Sequence, residues 1–194
     1  MTPLRLTRPR LSKADSAERD LIGAAVLDGR VVDQFVKYVR VEDFGSPPAA
    51  CVWVRLVKLR RDPFAADMVP SDWMAAVMMA AWDWGNESPV NTFGVTYVTE
   101  CAAAGPTMHG ALYAYRIMRE EANRRRLAEA LAVASDALKA QRPLSEVAAG
   151  LRAAVADIPP PEDGSFLASL HEPEDREPEP LPDAWAAHLT ETQR

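Results

Sequence analysis

The feature that most restricts the fold is the stretch from Met108 to about Ala140. It contains no proline, and its one glycine, Gly110, lies near its start. As a single helix it would be about 50 Å long at ~1.5 Å per residue. An apolar stripe runs through Leu112, Tyr115 and Met118 and resumes at Leu127, Leu131, Ala134 and Leu138. Between the two runs, Arg119 to Arg126 is charged nearly all round, the pattern of a helix crossing solvent between two packed ends. Gln141-Arg142-Pro143 then breaks the helix. Leu144, Val147, Ala148, Leu151 and Val155 recur at helical spacing behind a proline suited to a first turn. So short a connection makes the two helices an antiparallel hairpin over about 108–158.

The residues before it read as shorter helices. Leu21, Ile22, Ala25 and Val26 share one face, with a partial capping pattern at Ser16, and Asp28-Gly29 ends the segment. Val31, Val32, Phe35, Val36 and Val39 repeat the pattern, and Val41 to Pro48 is a turn. Further helices are expected from Ala49 to about Arg60, over 71–84 and over about 92–103. Trp53, Trp73 and Trp84 lie on apolar faces and are read as core rather than as stacking platforms for bases. The expected fold is all-α: a compact bundle of short helices over 15–158 that ends in the long hairpin.

The ends differ from this body. Residues 1–14 form a basic arm with Arg5, Arg8, Arg10 and Lys13, broken by Pro3 and Pro9. Residues 159–194 hold nine acids, two bases and seven of the sixteen prolines, a net of −7 that leaves the other 158 residues near +1. Such a composition predicts a disordered acidic tail. Two apolar islands interrupt it. Phe166 and Leu170 mark the first, Trp185 and Leu189 the second, and each suits one or two helical turns laid in a partner's groove.

Catalytic patterns are missing from the sequence. His109, His171 and His188 are far apart, and no Cys/His spacing matches a metal site. Cys51 and Cys101 read as small buried hydrophobes. Gly105-Pro106-Thr107-Met108-His109-Gly110 has the glycine spacing of a phosphate loop. Ala111 and Leu112 stand where that loop needs Lys and Ser or Thr. The adjacent acids Glu120/Glu121 and Glu42/Asp43 read as solvated faces or caps. The expectation is an interaction module with no catalytic residues, no metal and no cofactor. No apolar run approaches a membrane span and no secretory signal opens the chain; two cysteines make no disulfide framework, so a reducing cytoplasm is the expected compartment.

In order and spacing these elements resemble the N-terminal domain of bacterial replicative DNA helicases of the DnaB type. That domain opens on a helix reading roughly E-A-E-x-x-[VL]-[LI]-G-[AS] followed by three hydrophobic residues and Asp; here Ser16 to Asp28 runs SAERDLIGAAVLD. Its P-E-D-F turn corresponds to Val41-Glu42-Asp43-Phe44, and its G-x-x-Y segment to Gly94-Val95-Thr96-Tyr97. Its Y-A-x-I-hydrophobic-R-E helix corresponds to Tyr115-Arg116-Ile117-Met118-Arg119-Glu120 with Arg124-Arg125-Arg126-Leu127 behind it. The family's Tyr after the turn's Phe is Gly45 here.

The resemblance covers about 15–158 and implies a role in the primosome without the RecA-like motor of a whole helicase. It implies dimerisation or higher assembly through the hairpin, packed by Leu127, Leu131, Leu138, Leu144, Val147, Leu151 and Val155. It also implies binding to primase, replicative helicase or a helicase loader. Arg116, Arg119, Arg124, Arg125 and Arg126 offer a charged contact surface for such a partner. Two other readings stand beside it: one part of a split or truncated ATP-dependent helicase, and an accessory protein making a weak nucleic-acid contact through the arm and the arginines.

Overall fold

The computed structural model describes residues 11–87, 94–104 and 107–158. The chain is all-α among them: α1 (Lys13–Leu27), α2 (Gly29–Phe35), a 3-10 turn (Val41–Asp43), α3 (Pro47–Arg60), α4 (Pro70–Glu87), α5 (Val95–Ala103), α6 (Met108–Lys139) and α7 (Leu144–Ala156). Of the arm, residues 1–10 lie outside the described residues, as do the tail with Phe166, Leu170, Trp185 and Leu189 and the Gly105-Pro106 step. No described helix is long and apolar enough to cross a membrane.

α1 is the central helix and packs on α6, α5, α3, α4 and α2. Its start differs from the sequence reading. Ser12, not Ser16, is the cap: its hydroxyl accepts from Asp15 N at 3.0 Å, and the Asp15 carboxylate accepts from Ser12 N at 3.2 Å. The Ser-x-x-Asp box closes two unpaired backbone donors at once, which Arg19 at the corresponding place behind Ser16 could not do. Asp28 both ends α1 and caps α2, accepting from Arg30 N at 3.0 Å.

The core is aliphatic and aromatic. Leu21, Ile22, Val26, Phe35, Trp53, Leu56, Trp73, Tyr115 and Met118 are all fully buried. Trp73 also donates Nε1–H to Ala25 O at 2.8 Å, which ties the start of α4 to the end of α1. Gly29 permits this approach, since a Cβ there would meet the Trp73 ring at 3.0 Å. Cys101 is buried, as expected; Cys51 is only half-buried.

α6 serves two structures in turn. Ala111, Ala114, Tyr115, Met118 and Ala122 bury its first half in the core. Its second half leaves the core and pairs with α7. Arg142 N donates to Ala137 O at 3.0 Å and Gln141 N to Leu138 O at 2.9 Å, the two bonds of a Schellman close. Gln141 sits at the left-handed position of that motif with φ 55°. A Cβ is costly there, so Gln141→Gly is expected to raise stability by about 0.5–1 kcal/mol, read by urea unfolding. A loss of stability would show that the Gln141 side chain makes up for the backbone strain.

Candidate functional site

Two surfaces carry the sequence-predicted site residues: the arginine-rich middle of α6 and the hairpin beyond it. The middle is not a uniformly solvated waist. Arg124 is exposed and held by its own helix, pairing with Glu120 at 2.5 Å and Glu121 at 2.6 Å. The expected Glu120–Arg124 pair is therefore present, whereas Glu121 takes Arg124 in place of the expected Arg125. Arg125 instead reaches across to the 3-10 turn and donates to Asp43 O at 2.6 Å. Arg126 pairs with Asp43 Oδ1 at 2.5 Å, with the Asp43 side chain only 4% exposed. Arg119 donates to the Tyr115 hydroxyl at 2.6 Å. Arg116 is exposed on the outer side of the helix.

Two acids beside these arginines, Asp43 and Glu18, are buried. Asp43 Oδ2 accepts from Arg40 N at 2.8 Å, so one carboxylate closes the 3-10 turn and holds α6 against it. Glu18, 1% exposed on the inward face of α1, accepts from Gly45 N at 2.6 Å and Ser46 N at 3.0 Å. It thereby satisfies two backbone donors just before α3, where a carboxylate also complements the helix dipole. Gly45 makes room for the group: a Cβ there would stand 3.0 Å from Arg125 and 3.3 Å from Glu18. Asp43, read from the sequence as a solvated face or cap, is a cap and a buried ion-pair partner together. Glu18 was not singled out. Its signal was a carboxylate at the head of the apolar series Leu21, Ile22, Ala25, three, four and seven places on.

Burial pushes the Glu18 carboxyl above its ordinary 4.5, and the Gly45 and Ser46 N–H groups and the Arg125 guanidinium offset only part of this. A carboxyl with a raised folded-state pKa stabilises the fold most below the unfolded value and less as pH climbs through the folded one. The stability of wild type relative to Glu18→Gln is therefore expected to fall as pH rises upward from 4.5. Urea unfolding of both proteins across that range measures it. A difference independent of pH would mean that the carboxyl titrates alike folded and unfolded.

On the hairpin, the helices meet through small side chains. Ala130, Ala134 and Ala137 of α6 and Val147, Leu151 and Ala154 of α7 line an open cleft of about 470 Å³ between them. Ala134 is buried, and Val147 and Leu151 are half-buried. The other predicted packing residues point away from this seam. Leu127 is 40% exposed, Leu131 53%, Leu138 50%, Leu144 74% and Val155 53%. Sequence periodicity placed them on an apolar face without telling which neighbour covers it, and within one copy none fully does.

Among the described residues no group of three or more His, Cys, Asp or Glu is placed to hold a metal ion. Burial pushes the Cys101 thiol up to about 11, away from the thiolate form that a nucleophile requires. No protein-family model and no curated protein matches this chain.

Proposed function

We propose that the chain is a self-associating interaction module of DNA replication, similar in role to the N-terminal domain of DnaB-type helicases. Its hairpin pairs with a second copy, and the assembled collar binds primase, replicative helicase or a helicase loader. One observation carries this reading. Leu127, Leu131, Leu138, Leu144 and Val155 stand uncovered on a hairpin that projects from an otherwise well-packed core. Exposed large side chains gathered on one element mark an association surface. The arginine network supports the same reading, because it sets the base of the hairpin firmly on the 3-10 turn and so gives the projecting arm a fixed direction.

The test has two stages. Light scattering of the purified chain is expected to give twice the 21.3 kDa chain mass or a higher multiple. Titration with purified primase from the same cell is then expected to give saturable binding that the assembled form alone supports. A strictly monomeric chain at high concentration would remove the self-association. Assembly without binding to primase, helicase or loader would remove the replication partner and leave the scaffold.

A further inference from the structure

The hairpin is open on a second side. On α6, Glu129 and Val133 line the cleft, and Leu131 lies two places from each. On α7, Glu146 and Asp157 line it, two places from Leu144 and Val155. Two places are about 200° of helix, so the leucine face and the cleft open in opposite directions. From Glu129 to Ala137 the cleft is a trough about 12 Å long. Val133 stands 65% exposed along it, and Ala134 is buried at its floor. Two packed helices with an alanine floor leave room for the large apolar side chains of a third.

Two residues of the cleft have no use in the hairpin itself. Gly150 lies in the middle of α7, where glycine is the poorest helix former after proline. A Cβ there would meet nothing within 4 Å, so no neighbour among the described residues requires it. Asp157 is the C-cap of α7, where a carboxylate opposes the helix dipole. Neither its carboxylate nor that of Glu129 has a partner among the described residues. The charge around the cleft is mixed but unevenly placed. Arg126 is matched by Asp43, and Arg142 and Glu146 offset each other toward the tip. Glu129 and Asp157 are left to make the base of the cleft anionic.

We infer that this cleft receives an amphipathic helix of another protein, with large apolar side chains along one stripe and lysine or arginine at the end lying over Glu129 and Asp157. Gly150 lets that helix approach closely. The chain's own apolar islands at Phe166 and Trp185 carry the wrong charge for it, since they sit in a segment of net −7. The inference does not depend on pairing of hairpins through their leucines.

Fluorescence anisotropy of a labelled synthetic helix of about 14 leucines and lysines, titrated with the full chain, tests this. Wild type is expected to bind it about tenfold more tightly than the same helix with glutamate in place of lysine. Gly150→Leu fills the cleft without changing its charge. It is expected to weaken binding about tenfold and to raise the melting temperature, leucine being the better helix former. E129Q/D157N is expected to weaken binding about fivefold. All three positions are exposed, and circular dichroism checks that the helices persist. Sedimentation equilibrium of Gly150→Leu is expected to match wild type, which keeps this reading separate from self-association through the leucines. Binding that survives Gly150→Leu would overturn the inference and place the probe on another acidic segment. Equal affinity for the lysine and glutamate helices would overturn it too. So would loss of self-association in Gly150→Leu, which would give the cleft to a second copy.

Discussion

Replacing Asp43 by alanine is expected to cost the fold about 3 kcal/mol, the range for removing one member of a buried ion pair. Two groups lose their partner in one step, and a turn loses its closure. Arg126 is left with its guanidinium turned inward, its side chain only 24% exposed. Arg40 N loses its acceptor, and the 3-10 turn loses the closure that presents Asp43 O to Arg125. Each single variant orphans a charge, but Asp43→Ala also strips the acceptor from Arg40 N and opens the turn, so it should exceed Arg126→Ala. The double variant should be less harmful than the sum of the two. Denaturant midpoints of the three variants measure this. Additive losses, or a loss below about 0.5 kcal/mol for Asp43→Ala, would class the pair with ordinary surface bridges.

The position of this pair matters as much as its energy. Ala122 is the last fully buried residue of α6 in the core, and Ala130 is among the first to line the hairpin cleft. Arg125 and Arg126 lie between them, where the helix leaves one packing environment for the other. A helix crossing such a gap needs a lateral anchor to keep its direction, and the 3-10 turn supplies one. The sequence reading of Arg116, Arg119, Arg124, Arg125 and Arg126 as a single contact surface therefore divides. Arg124 belongs to its own helix, Arg119 to Tyr115, Arg125 and Arg126 to the turn, and Arg116 stands exposed on the outer side.

What was legible in the sequence was what local periodicity encodes. The spacing of Leu21, Ile22, Ala25 and Val26, of Val52, Trp53, Leu56 and Val57, and of Trp73, Val77 and Ala81 names residues that are all buried. The proline-free run gave α6 to within a residue of its end. What was not legible depends on distance along the chain. Glu18 meets Ser46 across 28 positions and Arg126 meets Asp43 across 83. No short-range pattern marks a carboxylate whose partners stand so far off. The start of α1 failed for a subtler reason. Two serines compete for the cap, and only the acid three residues after Ser12 closes a reciprocal box. On the hairpin, periodicity identified the apolar face but not which side of it the neighbouring helix takes. The alanines at 130, 134 and 137 decided that, because small side chains let α7 approach there and left the leucines outside.

The outward leucines lead to the second large effect. Leu131→Asp with Leu138→Asp is expected to leave the single chain folded and to abolish its self-association. At 53% and 50% exposure, neither side chain is a core residue of one copy, so the stability of the monomer should change by no more than about 1 kcal/mol. In the proposed pair the exposed half of each leucine becomes buried, which contributes about 0.8–1.5 kcal/mol per side chain. Both copies carry the change in a symmetric pair, so four lost leucines weaken it by about 3–6 kcal/mol, or a factor of roughly 100 to 10,000 in dissociation constant. The introduced carboxylates, desolvated against each other, weaken it further. Sedimentation equilibrium of wild type and variant separates the two effects when run beside thermal unfolding at a concentration where both are monomeric. A variant that unfolds would place Leu131 and Leu138 inside the hairpin's own packing. A variant that stays folded and still associates would remove the leucine face from the interface.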